Sequence, residues 1–175
     1  MKAMILAAGK GLRLGSLSLD TPKPLVKIRG RSLIEYNLQI LSNAGIKDIV
    51  INVCWLGDQI IRHLGNGKKY GVKITYMQEQ QMLGTGGGIF KALSYLGEEP
   101  FWLINSDIIT NFKIDINKDL NNDFVGHLVL VPNPLHNAEG DFFLEKDLVL
   151  FKRGPKPFTY SGISLLSPRL FEGCK

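Results

Sequence analysis

The chain has 175 residues, of which 45% are hydrophobic and 21% are charged, a composition typical of one globular domain with a substantial core. Its net charge of +5 comes from scattered lysines and arginines, which favours a solvated surface over a nucleic-acid-binding stripe. Apolar runs are too short for a membrane span, and Ala3–Ala8 is too short for the core of a signal peptide. Because Cys54 and Cys174 lack metal or redox spacing, the composition predicts a cytoplasmic protein.

Strand-like and helix-like segments alternate along the first two thirds of the chain. Short apolar runs predict strands at Met4–Leu6, Ile49–Ile51, Val72–Tyr76 and Phe101–Ile104. Between them, helical patterns run from Leu33 to near Gly45, over Gln59–Leu64, and over Ile89–Leu96 after the glycines at 84–88. Ser32 and Glu35 form a capping box at the first of these helices. This alternation predicts an α/β fold with a mostly parallel sheet and helices on both faces.

The last third of the chain is different in character. It predicts four strands joined by turns, at Leu128–Val131, Phe142–Leu144, Leu148–Phe151 and Ile163–Leu166. Ser167 and Pro168 then begin a helix, and the chain ends at Lys175 within two turns. We therefore expect one domain over residues 1–175, truncated at its C-terminus.

A glycine-containing loop directly after the first strand is the most informative feature of the sequence. Gly9 and Gly11 leave backbone N–H groups open to an approaching phosphate. Arg13 adds a planar cation with five donors, and Lys23 adds a point charge on a loop stiffened by Pro22 and Pro24. Together these residues predict a binding site for a triphosphate.

Other glycine loops fit this segment less well. A dinucleotide-binding fingerprint needs a third glycine where Leu14 stands, and a P-loop needs a lysine between Gly15 and Ser16. A simple glycine turn would account for Gly9 and Gly11 but gives no reason for the cations that follow.

Asp107 stands just past the predicted strand Phe101–Ile104, at the edge of the sheet where the first strand also ends. A carboxylate at that edge can hold Mg²⁺, which prefers oxygen ligands and substrate phosphates. Asp107 could instead be an ordinary turn residue. Its position opposite the phosphate loop favours the metal-binding interpretation.

Taken together, these motifs resemble those of the sugar-1-phosphate nucleotidyltransferases. The resemblance rests on L-A-A-G-x-G-x-R from Leu6, P-K-P-L from Pro22, L-G-T-G-G-G from Leu83 and N-x-D from Asn105. It implies a three-layer, Rossmann-like fold with a mixed, mostly parallel central sheet. The implied reaction is attack of a sugar-1-phosphate oxygen on the α-phosphorus of a nucleoside triphosphate, with Mg²⁺ as cofactor.

The resemblance also implies roles for individual residues. Nucleotide binding falls to Ala8, Gly9, Gly11, Leu12, Arg13, Lys23, Glu79, Gly84 and Thr85, of which Arg13 and Lys23 are catalytic. Sugar-phosphate binding falls to Asn105, Gly140 and Asp141, and Mg²⁺ binding to Asp107.

Within the family, the sequence most resembles the N-acetylmuramate-1-phosphate uridylyltransferases of cell-wall recycling, as in Ile51-Asn52 with Trp55-Leu56-Gly57 and in Gly140-Asp141-Phe142. This implies UTP and N-acetylmuramic acid 1-phosphate as substrates. A mannose-1-phosphate guanylyltransferase is the alternative enzyme.

The sequence departs from the family pattern at three places. Ser106 replaces the usual glycine between Asn105 and Asp107, and the loop at 15–18 lacks the usual proline and threonine. The family's second metal-binding aspartate would lie beyond Lys175, so we expect this chain alone to turn over poorly. An inactive nucleotide-binding or regulatory domain is the alternative of another class.

Overall fold

The fold is built on one large mixed β-sheet, seen in a computed structural model that describes residues 1–11, 15, 17–121, 123–150 and 157–174. The strands are β1 Lys2–Leu6, β2 Lys27–Ile28, β3 Arg31–Ser32, β4 Asp48–Val53, β5 Lys73–Gln78, β6 Phe101–Asn105, β7 Gly126–Val131, β8 Phe142–Glu145, β9 Leu148–Leu150 and β10 Pro157–Leu166. The helices are α1 Leu17–Asp20, α2 Leu33–Asn43, α3 Gly57–Leu64 and α4 Gly84–Leu96, with short 3-10 turns at Lys23–Leu25, Lys68–Tyr70, Leu135–Asn137 and Pro168–Phe171.

The sheet consists of a parallel half and an antiparallel half. Strands β5, β4, β1 and β6 lie side by side in that order, and all three of their pairings are parallel. Strand β10 pairs antiparallel with β6 on one side and with β7 and β8 on the other, and β9 pairs with β8. The predicted mixed sheet is confirmed, with its parallel pairs confined to the strands that precede Ser106.

Helices cover both faces of the parallel half. Along β1, Ala3 and Ile5 pack into the same cluster as residues of α2 and α3, whereas Met4 packs with residues of α4. This alternation follows from the two-residue period of a strand, and it gives the three-layer α/β architecture that the sequence predicts. Within the described residues, we find no helix that has both the length and the apolar character needed to cross a membrane.

Local signals in the sequence set several element boundaries. The capping box is confirmed, because the Glu35 carboxylate accepts hydrogen bonds from the Ser32 N–H at 2.9 Å and from its hydroxyl at 2.6 Å. Helix α4 begins at Gly84, so the glycine run is itself helical. The hairpin of β2 and β3 was not predicted, since each strand has only two residues and its turn places Arg29, a non-glycine, at φ 52°.

Candidate active site

A cavity of about 460 Å³ opens at the edge of the sheet where the parallel strands end. Such an edge is where ligands of open α/β sheets bind. The residues around the cavity come from the ends of β1, β4, β5 and β6, from the start of α4 and from the turn at Lys23: Leu6, Ala8, Gly9, Lys10, Gly11, Lys23, Pro24, Asn52, Glu79, Met82, Gly84, Thr85, Asn105, Ser106 and Asp107. Most of the site residues predicted from the sequence are therefore brought together here.

The glycine loop after β1 forms one wall of this cavity, with Gly9 and Gly11 in the lining. Gly11 has a φ of +66°, and a Cβ built there would lie 2.9 Å from the Cβ of Lys23. Glycine therefore permits both the turn and the close approach of the lysine. Leu12 and Arg13, which the sequence assigns to the triphosphate, lie outside the described residues.

Lys23 and Asp107 meet in the lining of the cavity, although 84 positions separate them in the sequence. The lysine Nζ forms an ion pair with Asp107 Oδ2, and both side chains are partly exposed. The Asp107 loop is held against the end of β1 by a hydrogen bond of 3.1 Å from the Ser106 N–H to the Leu6 carbonyl. A cation and a carboxylate thus face the same space as the glycine loop.

Asp107 is a single carboxylate, and it fits only a metal site that is completed by ligands from outside the protein. Over the part of the chain that the structure describes, no group of three or more histidine, cysteine, aspartate or glutamate side chains could enclose a metal ion. Mg²⁺ commonly binds through one or two carboxylates and completes its shell with water and substrate phosphates. Asp107, a partly exposed residue of the cavity lining, suits that mode of binding, and it does not suit a metal held by protein alone.

Glu79 lies at the back of the cavity with only 6% of its surface exposed. Its Oε1 accepts a hydrogen bond of 2.7 Å from Asn52 Nδ2, and its Oε2 accepts one of 3.1 Å from the Leu83 N–H. The Asn52 Oδ1 in turn accepts a bond of 3.0 Å from the Ala7 N–H. Both carboxylate oxygens of Glu79 are therefore engaged with the protein itself.

Asn52 is a cavity residue to which the sequence analysis gave no role. The available signal was one amide within the otherwise apolar run Ile49–Val53 of β4, where a buried amide needs partners. Lys10 was also missed; its Nζ lies 5.7 Å from the centroid of the Trp55 ring, a cation–π contact beside the glycine loop.

The predicted sugar-binding residues are only partly brought together. Asn105 lines the cavity and packs against Gly162, where a built Cβ would lie 2.7 Å from Asn105 Nδ2. Among the described residues, Gly140 and Asp141 are not in the lining of this cavity. The Asp141 carboxylate instead accepts hydrogen bonds from the Tyr160 N–H at 2.8 Å and from Asn137 Nδ2 at 3.1 Å.

These features define an open α/β protein with its candidate site at the carboxyl edge of parallel strands. Residues 2–123 match the family model described as Nucleotidyl transferase, and the chain belongs to this family. The family resemblance seen in the sequence is confirmed, and the relatives are sugar-1-phosphate nucleotidyltransferases, which are enzymes.

Two curated relatives and one solved structure show the range of similarity. The chain is 43% identical over 180 residues to N-acetylmuramate alpha-1-phosphate uridylyltransferase of Neisseria meningitidis, covering 99% of this chain and 78% of that protein. It is 30% identical to mannose-1-phosphate guanyltransferase of Saccharomyces cerevisiae, covering 98% of this chain but only 51% of the yeast protein. The structure of HddC from Yersinia pseudotuberculosis complexed with GMP-PN superposes with a TM-score of 0.77 at 28% identity, covering 98% of this chain and 79% of that one.

Proposed function

We propose that this chain transfers a uridylyl group from UTP to N-acetylmuramic acid 1-phosphate, giving a UDP-sugar and pyrophosphate. The observation that carries the proposal is the meeting of the glycine loop, Lys23 and Asp107 around one cavity. The choice of uridine and of this sugar is supported by the 43% identity to the Neisseria uridylyltransferase.

In the proposed reaction an oxygen of the sugar-1-phosphate attacks the α-phosphorus of UTP. The bond from that phosphorus to the bridging oxygen of the β-phosphate breaks, and pyrophosphate leaves with the electron pair. Both reactants are anions, so the step depends on positioning and on neutralisation of charge more than on proton transfer. The nucleotide binds with its triphosphate along the glycine loop and its base toward Gly84 and Thr85.

Lys23 is the cation placed to act at the α-phosphate, where negative charge is redistributed during attack. Gly11 leaves room for the base of the lysine side chain, since a Cβ at position 11 would lie 2.9 Å from Lys23 Cβ. Arg13 is proposed to offset charge on the leaving pyrophosphate. In the protein without substrate, Lys23 forms an ion pair with Asp107. The phosphates of a bound nucleotide compete with Asp107 for that lysine.

Asp107 is the proposed protein ligand of Mg²⁺, together with phosphate oxygens of the substrate. When bound, the ion supplies positive charge against the phosphates. Asn105, beside the same strand end, is proposed to contact the sugar phosphate. Gly140 and Asp141 remain proposed sugar-binding residues on the resemblance alone.

A mannose-1-phosphate guanylyltransferase is the second candidate, supported by the yeast relative at 30% identity. The two candidates differ in both base and sugar, so one assay separates them. Pyrophosphate release is measured with UTP or GTP, each paired with N-acetylmuramic acid 1-phosphate or mannose 1-phosphate. We expect release above background only with UTP and N-acetylmuramic acid 1-phosphate. Release with GTP and mannose 1-phosphate alone would support the second candidate.

The assay is run both on this 175-residue chain and on any longer protein that contains it. We expect the shorter chain to turn over slowly, and calorimetry to detect UTP binding in both. Arg13→Ala is expected to weaken UTP binding by about 1.5–3 kcal/mol, the value of a charge-assisted hydrogen bond, whereas Arg29→Ala in the exposed β2–β3 turn should not. UTP binding without turnover in either protein would favour a nucleotide-binding or regulatory domain.

A further inference from the structure

A continuous hydrogen-bonded connection runs beneath the cavity from the glycine loop to the start of α4. It passes from the Ala7 N–H through the amide of Asn52 and the carboxylate of Glu79 to the Leu83 N–H, with bonds of 3.0, 2.7 and 3.1 Å. We call these four groups the buried relay. Asn52 is 2% exposed and Glu79 is 6% exposed, so water does not readily replace the hydrogen bond between these two side chains, while the bond to the Leu83 N–H is only part-buried.

The two ends of the buried relay lie at the two parts of the cavity that a nucleotide must reach at once. Ala7 directly precedes Ala8 and Gly9 of the phosphate loop, and Leu83 directly precedes Gly84 and Thr85. The relay therefore sets the distance between the triphosphate end and the base end of the cavity.

We infer that Asn52 is a positioning residue for the nucleotide, acting through Glu79 to hold the phosphate loop and the base-binding segment in register. This inference rests on the proposed function, and it assigns Glu79 a different part in that function. Because both oxygens of Glu79 are engaged within the relay, its carboxylate orders Leu83 and the residues after it.

The central bond of the relay joins two side chains, so its donor and acceptor can be exchanged by substitution, while the backbone N–H groups at both ends stay donors. Asn52→Asp removes the donor to Glu79 and leaves two carboxylates facing each other. Glu79→Gln leaves one oxygen where two acceptors are needed. In the double variant, the new amide at 79 donates to the new carboxylate at 52 and accepts from the Leu83 N–H. The Ala7 N–H keeps its acceptor, and the charge of the pair is conserved.

The test measures dissociation constants by calorimetry for UTP and for inorganic tripolyphosphate, which lacks the base. Each single variant is expected to weaken UTP by about 10-fold and to weaken tripolyphosphate much less, because only UTP needs both ends of the relay. The double variant is expected to recover UTP affinity to within about 3-fold of the wild type, since all four groups are again paired.

The result that overturns the inference is a set of variants with lowered melting temperatures but an unchanged ratio of the two dissociation constants. A double variant no better than the single ones would also overturn it. Wild-type protein that binds no nucleoside triphosphate would overturn the proposed function itself, which distinguishes that failure from a failure of the relay.

A pair of glycines in α4 gives an independent test that leaves the relay's own atoms unchanged. A Cβ at Gly88 would lie 2.9 Å from Asn52 Nδ2 and 3.0 Å from Glu79 Oε1, whereas one at Gly86 would meet nothing within 4 Å. Gly88→Ala is therefore expected to weaken UTP by about 10-fold, and Gly86→Ala to leave it unchanged. Equal affinities for these two variants would contradict the inference.

Discussion

The parallel and antiparallel halves of the sheet differ in how they hold their polar residues. In the parallel half, β1, β4 and β6 are largely buried, and the polar groups at their carboxyl ends bond from one strand end to the next, as Asn52 does with Ala7 and Glu79. In the antiparallel half, β7, β8 and β9 are only half-buried, and the polar groups near them bond within one local cluster, as Asp141 does with Asn137.

This difference bears on how recognition is divided between the two halves. The proposed nucleotide contacts that the structure describes lie around the carboxyl ends of the parallel strands, where Asn52 and Glu79 are buried. The proposed sugar contacts are on the antiparallel half or at its border, where Asn105 meets Gly162. We therefore expect a change of sugar to be accommodated by the half-buried strands without disturbing the buried strand ends that are proposed to hold the nucleotide.

The largest expected effect comes from the cation at the centre of the parallel edge. Lys23→Ala should lower kcat by about 10²–10³-fold and raise the KM for nucleotide far less, because its charge acts most strongly as the α-phosphorus is attacked. Steady-state kinetics on the protein that shows turnover measures both constants. Lys27→Ala, a lysine in the exposed strand β2, is the matched control and should change neither. An unchanged kcat for Lys23→Ala would show that Lys23 has no role in the chemical step.

Asp107→Asn should have the next largest effect, through the metal. Because an amide is a weaker ligand than a carboxylate for a hard cation, we expect the Mg²⁺ concentration needed for half-maximal rate to rise by about 10–100-fold. A titration of rate against Mg²⁺ at saturating nucleotide measures this. Asp48→Asn, at the exposed start of β4, is the control. A normal Mg²⁺ requirement would show that Asp107 serves only as the partner of Lys23.

Much of the parallel half could be predicted from the sequence because its signals are local. The short apolar runs Ile49–Ile51 and Phe101–Ile104 mark β4 and β6, the Ser32–Glu35 capping box marks the start of α2, and the glycines after β1 mark the loop. The position of the cavity followed from the rule that parallel strands end at one edge. Local signals were therefore sufficient for this half.

The features of the fold and site that the sequence did not predict depend on contacts between distant parts of the chain, and a single sequence does not show such contacts. The partner of Asn52 is 27 residues away, and nothing in the sequence near Asn52 identifies Glu79. The full length of β10, from Pro157 to Leu166, depends on its pairing with three other strands. Gly140 and Asp141 were assigned by resemblance alone, and the described cavity does not include them.

The border between the two halves can be tested at Gly162. Its φ is +82°, and a Cβ there would lie 2.6 Å from Ile108 Cδ1 and 2.7 Å from Asn105 Nδ2. Gly162→Ala should therefore displace the Asn105 side chain and raise the KM for the sugar-1-phosphate by about 10-fold, with little change in UTP affinity. Gly173→Ala is the control, since Gly173 has a similar φ of +80° with nothing within 4 Å. An equal loss of UTP affinity would mean that the two halves are not separable.

The smallest expected effect is on the free energy of unfolding. It tests whether the parallel half of the sheet can be destabilised without a change in the candidate site. Glu35, at the start of α2, is not part of the cavity lining. Burial alone would raise its pKa, but hydrogen bonds from Ser32 and Tyr70, with the His63 imidazole 3.5 Å away, outweigh burial and lower the pKa from 4.5 to about 2. Ionised Glu35 therefore stabilises the folded state above pH 4.5, and this stabilisation is lost as the pH falls toward 2.

Glu35→Gln should consequently lower the free energy of unfolding by about 1–2 kcal/mol at pH 7, which corresponds to roughly 3–6 °C in melting temperature for a chain of this size. The difference from the wild type should shrink between pH 4.5 and pH 2, because the protonated carboxyl then resembles the amide. Thermal melts across this range measure it, with Glu98→Gln in an exposed loop as the control. UTP affinity at 25 °C should be unchanged in both variants. A fall in UTP affinity for Glu35→Gln would show that α2 and the cavity are coupled. If α2 only supports the fold around the cavity, the variant should lose stability and keep its UTP affinity.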